Sequence, residues 1–86
     1  MAVVMPVAIV QESDYAEFAP LSIYSIVGDD YAAFLENTED YCKEMEAIGV
    51  TPIKTNIDPA ALKVWLRGAV ATRSRLSTYA ASLSKG

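Results

Sequence analysis

The chain has 86 residues, one cysteine, no histidine, and eleven acidic against seven basic side chains, for a net charge of −4. That length suits one globular domain over 1–86, and 52% hydrophobic with 21% charged residues excludes a disordered chain. The acidic balance argues against a general nucleic-acid binder, which needs a basic surface to displace phosphate counterions. Cys42 alone excludes internal disulfides and a zinc site, and the lack of histidine removes the usual general base near neutral pH.

Ala2 to Val10 is apolar on both parities, the pattern of a strand buried on both faces at the centre of a sheet. Pro6 cannot donate to a ladder, so regular pairing is expected mainly over Val7–Val10. The segment has no basic residues ahead of it and is far too short for a bilayer. It is therefore read as neither a signal nor a membrane span, and the protein is expected to be soluble and cytoplasmic. Ser13 can cap a single turn to Phe18. Pro20 then turns the chain extended, and Leu21–Val27 reads as a second strand ended by Gly28.

Asp29 and Asp30 cap a long helix running to about Ile48. Tyr31, Phe34, Leu35, Thr38, Tyr41, Cys42, Met45 and Ile48 recur at three- and four-residue spacing, which makes one apolar stripe. Gly49 stops the helix. Val50–Ile57 alternates as a strand, with Pro52 and Lys54 as edge devices. Asp58 is an N-cap and Pro59 fits the first helical position. Leu62, Trp65 and Leu66 share the apolar face of that helix, Gly68 closes it, and the core is expected to be built around Trp65. Thr72 caps a final helix to about Ser84. Together these elements predict an α+β fold: a small three-stranded mixed sheet with one long amphipathic helix and a C-terminal helical pair packed on it. Such helices leave part of the central strand uncovered, so a homo-oligomer is expected.

Functional candidates are few. Cys42 lies on the apolar stripe with no histidine to activate it, and reads as a small buried hydrophobe. Tyr24, Tyr31, Tyr41 and Tyr79 read as core residues with hydroxyls at the rim. No acidic spacing matches a calcium loop, no glycine-rich phosphate loop exists, and neither metal nor cofactor is expected. Residues 59–86 hold five bases and no acid, and this basic end is expected to pack beside the acidic helix. Lys63, Arg67, Arg73 and Arg75 are the candidates for local nucleic-acid contact.

Glu36, Asp40 and Glu44 stand one turn apart on the outward side of the long helix. Like charges at that spacing repel, and acids near a helix C-terminus oppose its dipole. Such a conflict, unless a salt bridge from Lys63 or Arg67 relieves it, suits a site that meets another molecule. The sequence thus points to a non-enzymatic protein-interaction module, an inhibitor, regulator or accessory subunit, whose partner carries a basic surface. The alternatives are a nucleic-acid-associated protein using the basic C-terminal helices, and a small enzyme or ligand carrier with its site at a dimer interface.

Overall fold

A computed structural model describes residues 3–83. Two strands, β1 (Val3–Ile9) and β2 (Val50–Asn56), pair in parallel, with Val3 opposite Val50 and Ile9 opposite Asn56. Pairing extends past β2, where the Ile57 N–H donates to the Ile9 carbonyl at 2.9 Å. In a parallel ladder a residue's N–H and C=O point to the same neighbour, and successive residues alternate sides. Ile9, Val7 and Met5 therefore face β2, while Ile57, Thr55 and Ile53 face β1. Pro6 and Pro52 belong to the alternate sets, so each lacks its donor on the side where no strand pairs. This is why β1 runs unbroken through Pro6 instead of becoming regular only at Val7.

The expected three-stranded mixed sheet is not formed: the sheet is two-stranded and parallel. After β1 the chain makes a 3-10 turn at Glu12–Asp14, helix α1 (Tyr15–Phe18), a second 3-10 turn at Ala19–Leu21, and helix α2 (Tyr24–Val27). Only Ser22 pairs in the manner of a strand, in an isolated parallel bridge to Ala71. Two physical reasons account for the correction. The apolar residues of Leu21–Val27 fit two periods, because Ile23, Ile26 and Val27 also lie at helical spacing. In addition, the outer side of each existing strand carries a proline that cannot donate to a third. Gly28 closes α2 at φ 64° and ψ −157°, a region essentially limited to glycine, and an added Cβ would stand 2.5 Å from the Ala33 side chain.

Helix α3 (Tyr31–Ala47) begins where Asp30 Oδ1 accepts from the Ala33 N–H at 2.8 Å. It buries Phe34, Thr38, Cys42 and Met45. Thr38 satisfies its buried hydroxyl by donating to the Phe34 carbonyl at 2.8 Å. Helix α4 (Pro59–Leu66) begins at Asp58, whose Oδ1 accepts from Ala60 N–H at 3.1 Å. Its left-handed closing residue is Arg67, at φ 52° and ψ 44°, followed by Gly68 at φ 88°. Helix α5 (Arg73–Leu83) starts from Thr72, whose Oγ1 accepts from the Arg75 N–H at 3.2 Å; the expected end at Ser84 lies outside the described residues.

The core centres on Phe34, not Trp65. Phe18 and Phe34 are fully buried, with ring centroids 5.4 Å apart, and Tyr15 and Tyr31 lie 6.2 and 6.0 Å from Phe34. Around them pack Ala8, Val10, Ile26, Leu62, Leu66 and Leu76. A second cluster joins Val7 to Cys42 and Met45. Trp65 remains 39% exposed, its ring tilted on Tyr79 at 5.3 Å. Eight-residue α4 docks through Leu62 and Leu66 at i, i+4, which leaves position 65 on the flank of the contact. Only the second half of β1 is covered: Val7 and Ala8 are buried, whereas Val3 and Val4 are 54% and 59% exposed.

Replacing Phe34 with Ala is expected to cost about 3–5 kcal/mol, enough to unfold much of so small a domain. Trp65→Ala should cost only about 1–2 kcal/mol because much of the ring is already solvated. Urea titrations of the two variants check this order, and equal losses would contradict a Phe34-centred core.

Candidate functional site

Helix α3 divides into two faces. Phe34, Thr38, Cys42 and Met45 point into the core, and Glu36, Asp40 and Glu44 are exposed on the other side. Each i, i+4 step advances about 40° round the cylinder, so the acidic row slants along the helix. Among the described residues the one ion pair is Lys54 of β2 with Glu39 of α3. The Lys54 hydrogen bond holds the Glu39 carboxyl below its usual range, and the same bond raises Lys54. Glu39 lies off the row. Lys63 and Arg67 are exposed around α4 and form no ion pair with Glu36, Asp40 or Glu44.

Arg73, at the start of α5, reaches the row from another element. It shares with Ser25, Asn37, Asp40, Tyr41 and Glu44 the lining of a depression of about 240 Å³. Its guanidinium nevertheless lies over the Tyr41 ring, 4.4 Å from the centroid, and Nη2 donates to the Asn37 carbonyl at 3.4 Å. Nη1 is buried with no acceptor. Burial lowers the Arg73 pKa, although an arginine remains charged across the physiological range. The basic end does reach the acidic helix, but onto an aromatic ring and a backbone carbonyl, not a carboxylate.

The four basic candidates are thus unequally placed. Arg73 is committed to α3, and Arg75 Nη1 donates to the Val70 carbonyl at 2.8 Å. Lys63 and Arg67 stay exposed, with Lys63 at the edge of a depression of about 260 Å³ formed with Pro20, Leu21, Leu66, Gly68, Ala69 and Val70. The tyrosines mostly serve the fold. Tyr31 donates to the Val10 carbonyl at 2.9 Å, and Tyr15 donates to the Val27 carbonyl at 2.7 Å. Tyr24 donates to Asp29, a bond that raises its pKa, and burial raises Tyr79. Both shifts disfavour the phenolate that base chemistry would need. Among the described residues no three His, Cys, Asp or Glu side chains converge for a metal. No helix there is long and apolar enough to cross a membrane.

The structure also reveals a surface that the sequence reading passed over. Met5, Tyr41, Glu44, Met45, Ile48 and Val50 line a groove of about 370 Å³ between α3 and the sheet. Tyr41 Oη points to Met5 Sδ at 3.9 Å across it. A signal was available: Ile48 is the next i+4 position after Glu44 and lies just before Gly49, where a helix is ending. Comparison of the chain with protein-family models, with curated proteins and with solved structures gives no match.

Cys42 is buried, and burial pushes its thiol up, with Glu39 adding to the effect. A raised folded-state value means that the stabilising preference for the neutral thiol is complete below the ordinary thiol range. It is lost as pH rises through the folded value. Labelling by a thiol reagent at pH about 8 is therefore expected to proceed only as fast as the domain opens. Rapid labelling of the folded protein would contradict that environment.

Proposed function

We propose that this protein is a small interaction module, an inhibitor, regulator or accessory subunit, that presents Glu36, Asp40 and Glu44 of α3 to a basic surface on another macromolecule. The observation that carries this reading is the row itself, which no cation of the described chain pairs. Each like-charged i, i+4 neighbour costs about 0.2–0.5 kcal/mol, and Glu44, in the last turn, also opposes the helix dipole. Arg73 lies in the adjoining depression yet is held by Tyr41 and Asn37. A basic partner would relieve this repulsion, and complementary charge would speed its approach. With its single thiol buried and no internal disulfide to gain from an oxidising compartment, we assign the protein to the cytoplasm.

The test begins with affinity capture from the source cell after nuclease treatment, followed by the triple change Glu36→Gln, Asp40→Asn, Glu44→Gln. The variant is expected to bind the recovered partner about ten-fold more weakly and with a flatter salt dependence. Unchanged affinity together with unchanged salt dependence would leave the row as an ordinary solvated face.

A further inference from the structure

Beyond Glu44 the acidic row meets an apolar side chain. Its next i+4 member after Glu44 is Ile48, which at 78% exposure is the barest large apolar side chain among the described residues. Glu44 and Ile48 both line the groove of about 370 Å³ that Met5, Tyr41, Met45 and Val50 complete. The row thus leads from three carboxylates to Ile48, the residue that closes α3, at the rim of an apolar groove. Met5, 36% exposed at the groove, makes it adaptable, because an unbranched thioether side chain can repack around different shapes.

Resting on the reading of the acidic row proposed above, we infer that the groove and the row together form the seat for a basic amphipathic segment of a partner protein, its apolar side chains against Met5, Met45 and Ile48 and its Lys or Arg side chains along Glu44, Asp40 and Glu36. Charge complementarity selects this occupant. The groove rim carries Glu44, the row beyond it is acidic, and Arg73 in the adjoining depression is spent on Tyr41 and Asn37. A second copy brought in on the same face would bring a second Glu44 towards the first. An added strand has no regular edge to join, since Pro6 and Pro52 stand on the outer sides of β1 and β2. An amphipathic helix needs neither edge, because it binds through side chains spaced i, i+3, i+4 and i+7.

The probes are three short synthetic peptides: a Leu/Lys sequence with its leucines on one helical face, a scrambled sequence of the same composition, and a version of the first with Gln for every Lys. Binding is read by titration at several salt concentrations and by the Met5 and Met45 methyl resonances. The amphipathic peptide is expected to bind at least about ten-fold more tightly than the scrambled one and to shift both methyls. Ile48→Ser should weaken it about five-fold without altering the salt slope. Val64→Ser, a similar loss at a 76%-exposed position on α4, should change nothing. The triple acidic variant should flatten the salt dependence for both lysine peptides. Equal binding of amphipathic and scrambled peptides, with no effect of Ile48→Ser, overturns the groove assignment but leaves the acidic row standing. Equal binding of the Gln peptide, unaffected by the triple variant, overturns the basic occupant and the proposed function with it. A dimer that Ile48→Ser disperses identifies a second copy as the occupant and also overturns the proposal.

Discussion

Pro6 and Pro52 each turn a nitrogen without hydrogen away from the strand pair, so the ladder ends at two strands on both sides. Two strands alone are marginal in water and need a packed layer. Helix α3 provides much of it, setting Cys42 and Met45 against Val7, while Leu76 and Tyr79 of α5 join Ala8 in the larger cluster. The covering stops short of the first residues of β1, and that shortfall is what leaves Met5 at a groove instead of in a core.

The stretch between β1 and α3 contains no long element, yet it is well held. Tyr15 and Tyr31 pack against Phe34 and at the same time donate to carbonyls at Val27 and Val10, where short turns leave acceptors free. Asn37 adds a third tie, donating to the Ile26 carbonyl at 3.2 Å. Helix α3 therefore fixes two layers, the sheet through one set of side chains and the turns through another. With its inward side employed in packing and Glu39 paired with Lys54, the row of Glu36, Asp40 and Glu44 is left to carry unpaired charge.

What could be read in advance was whatever rests on local chemistry. Asp30, Asp58 and Thr72 open the three longest helices at the expected places, because a cap is a contact between near neighbours. The strand at Val50 was legible for the same reason, through alternation between a glycine and a cap. Leu21–Val27 was not, because seven mostly apolar residues satisfy two periods and only tertiary context decides between them. Trp65 misled because size alone does not say which side of an apolar stripe faces the core. The acidic row was visible from spacing. The stacking of Arg73 on Tyr41 was not, since it joins residues 32 positions apart, and neither was the groove, whose walls come from α3 and both strands.

The relation between charge and exposed apolar surface makes these features one arrangement. Val3, Val4, Met5, Ile48 and Ile53 all remain exposed, and apolar side chains beside a strand edge invite self-association. Proline removes part of that hazard by denying donors to a regular added strand. The carboxylates remove another part, because copies meeting through the α3 face bring like charges together, and the net charge of −4 opposes their approach at longer range. Solubility alone would be served by acids placed anywhere on the surface. In the binding mode proposed above, a row that runs into the groove has a second use: the sign of a neighbour's charge decides whether that neighbour reaches the apolar side chains.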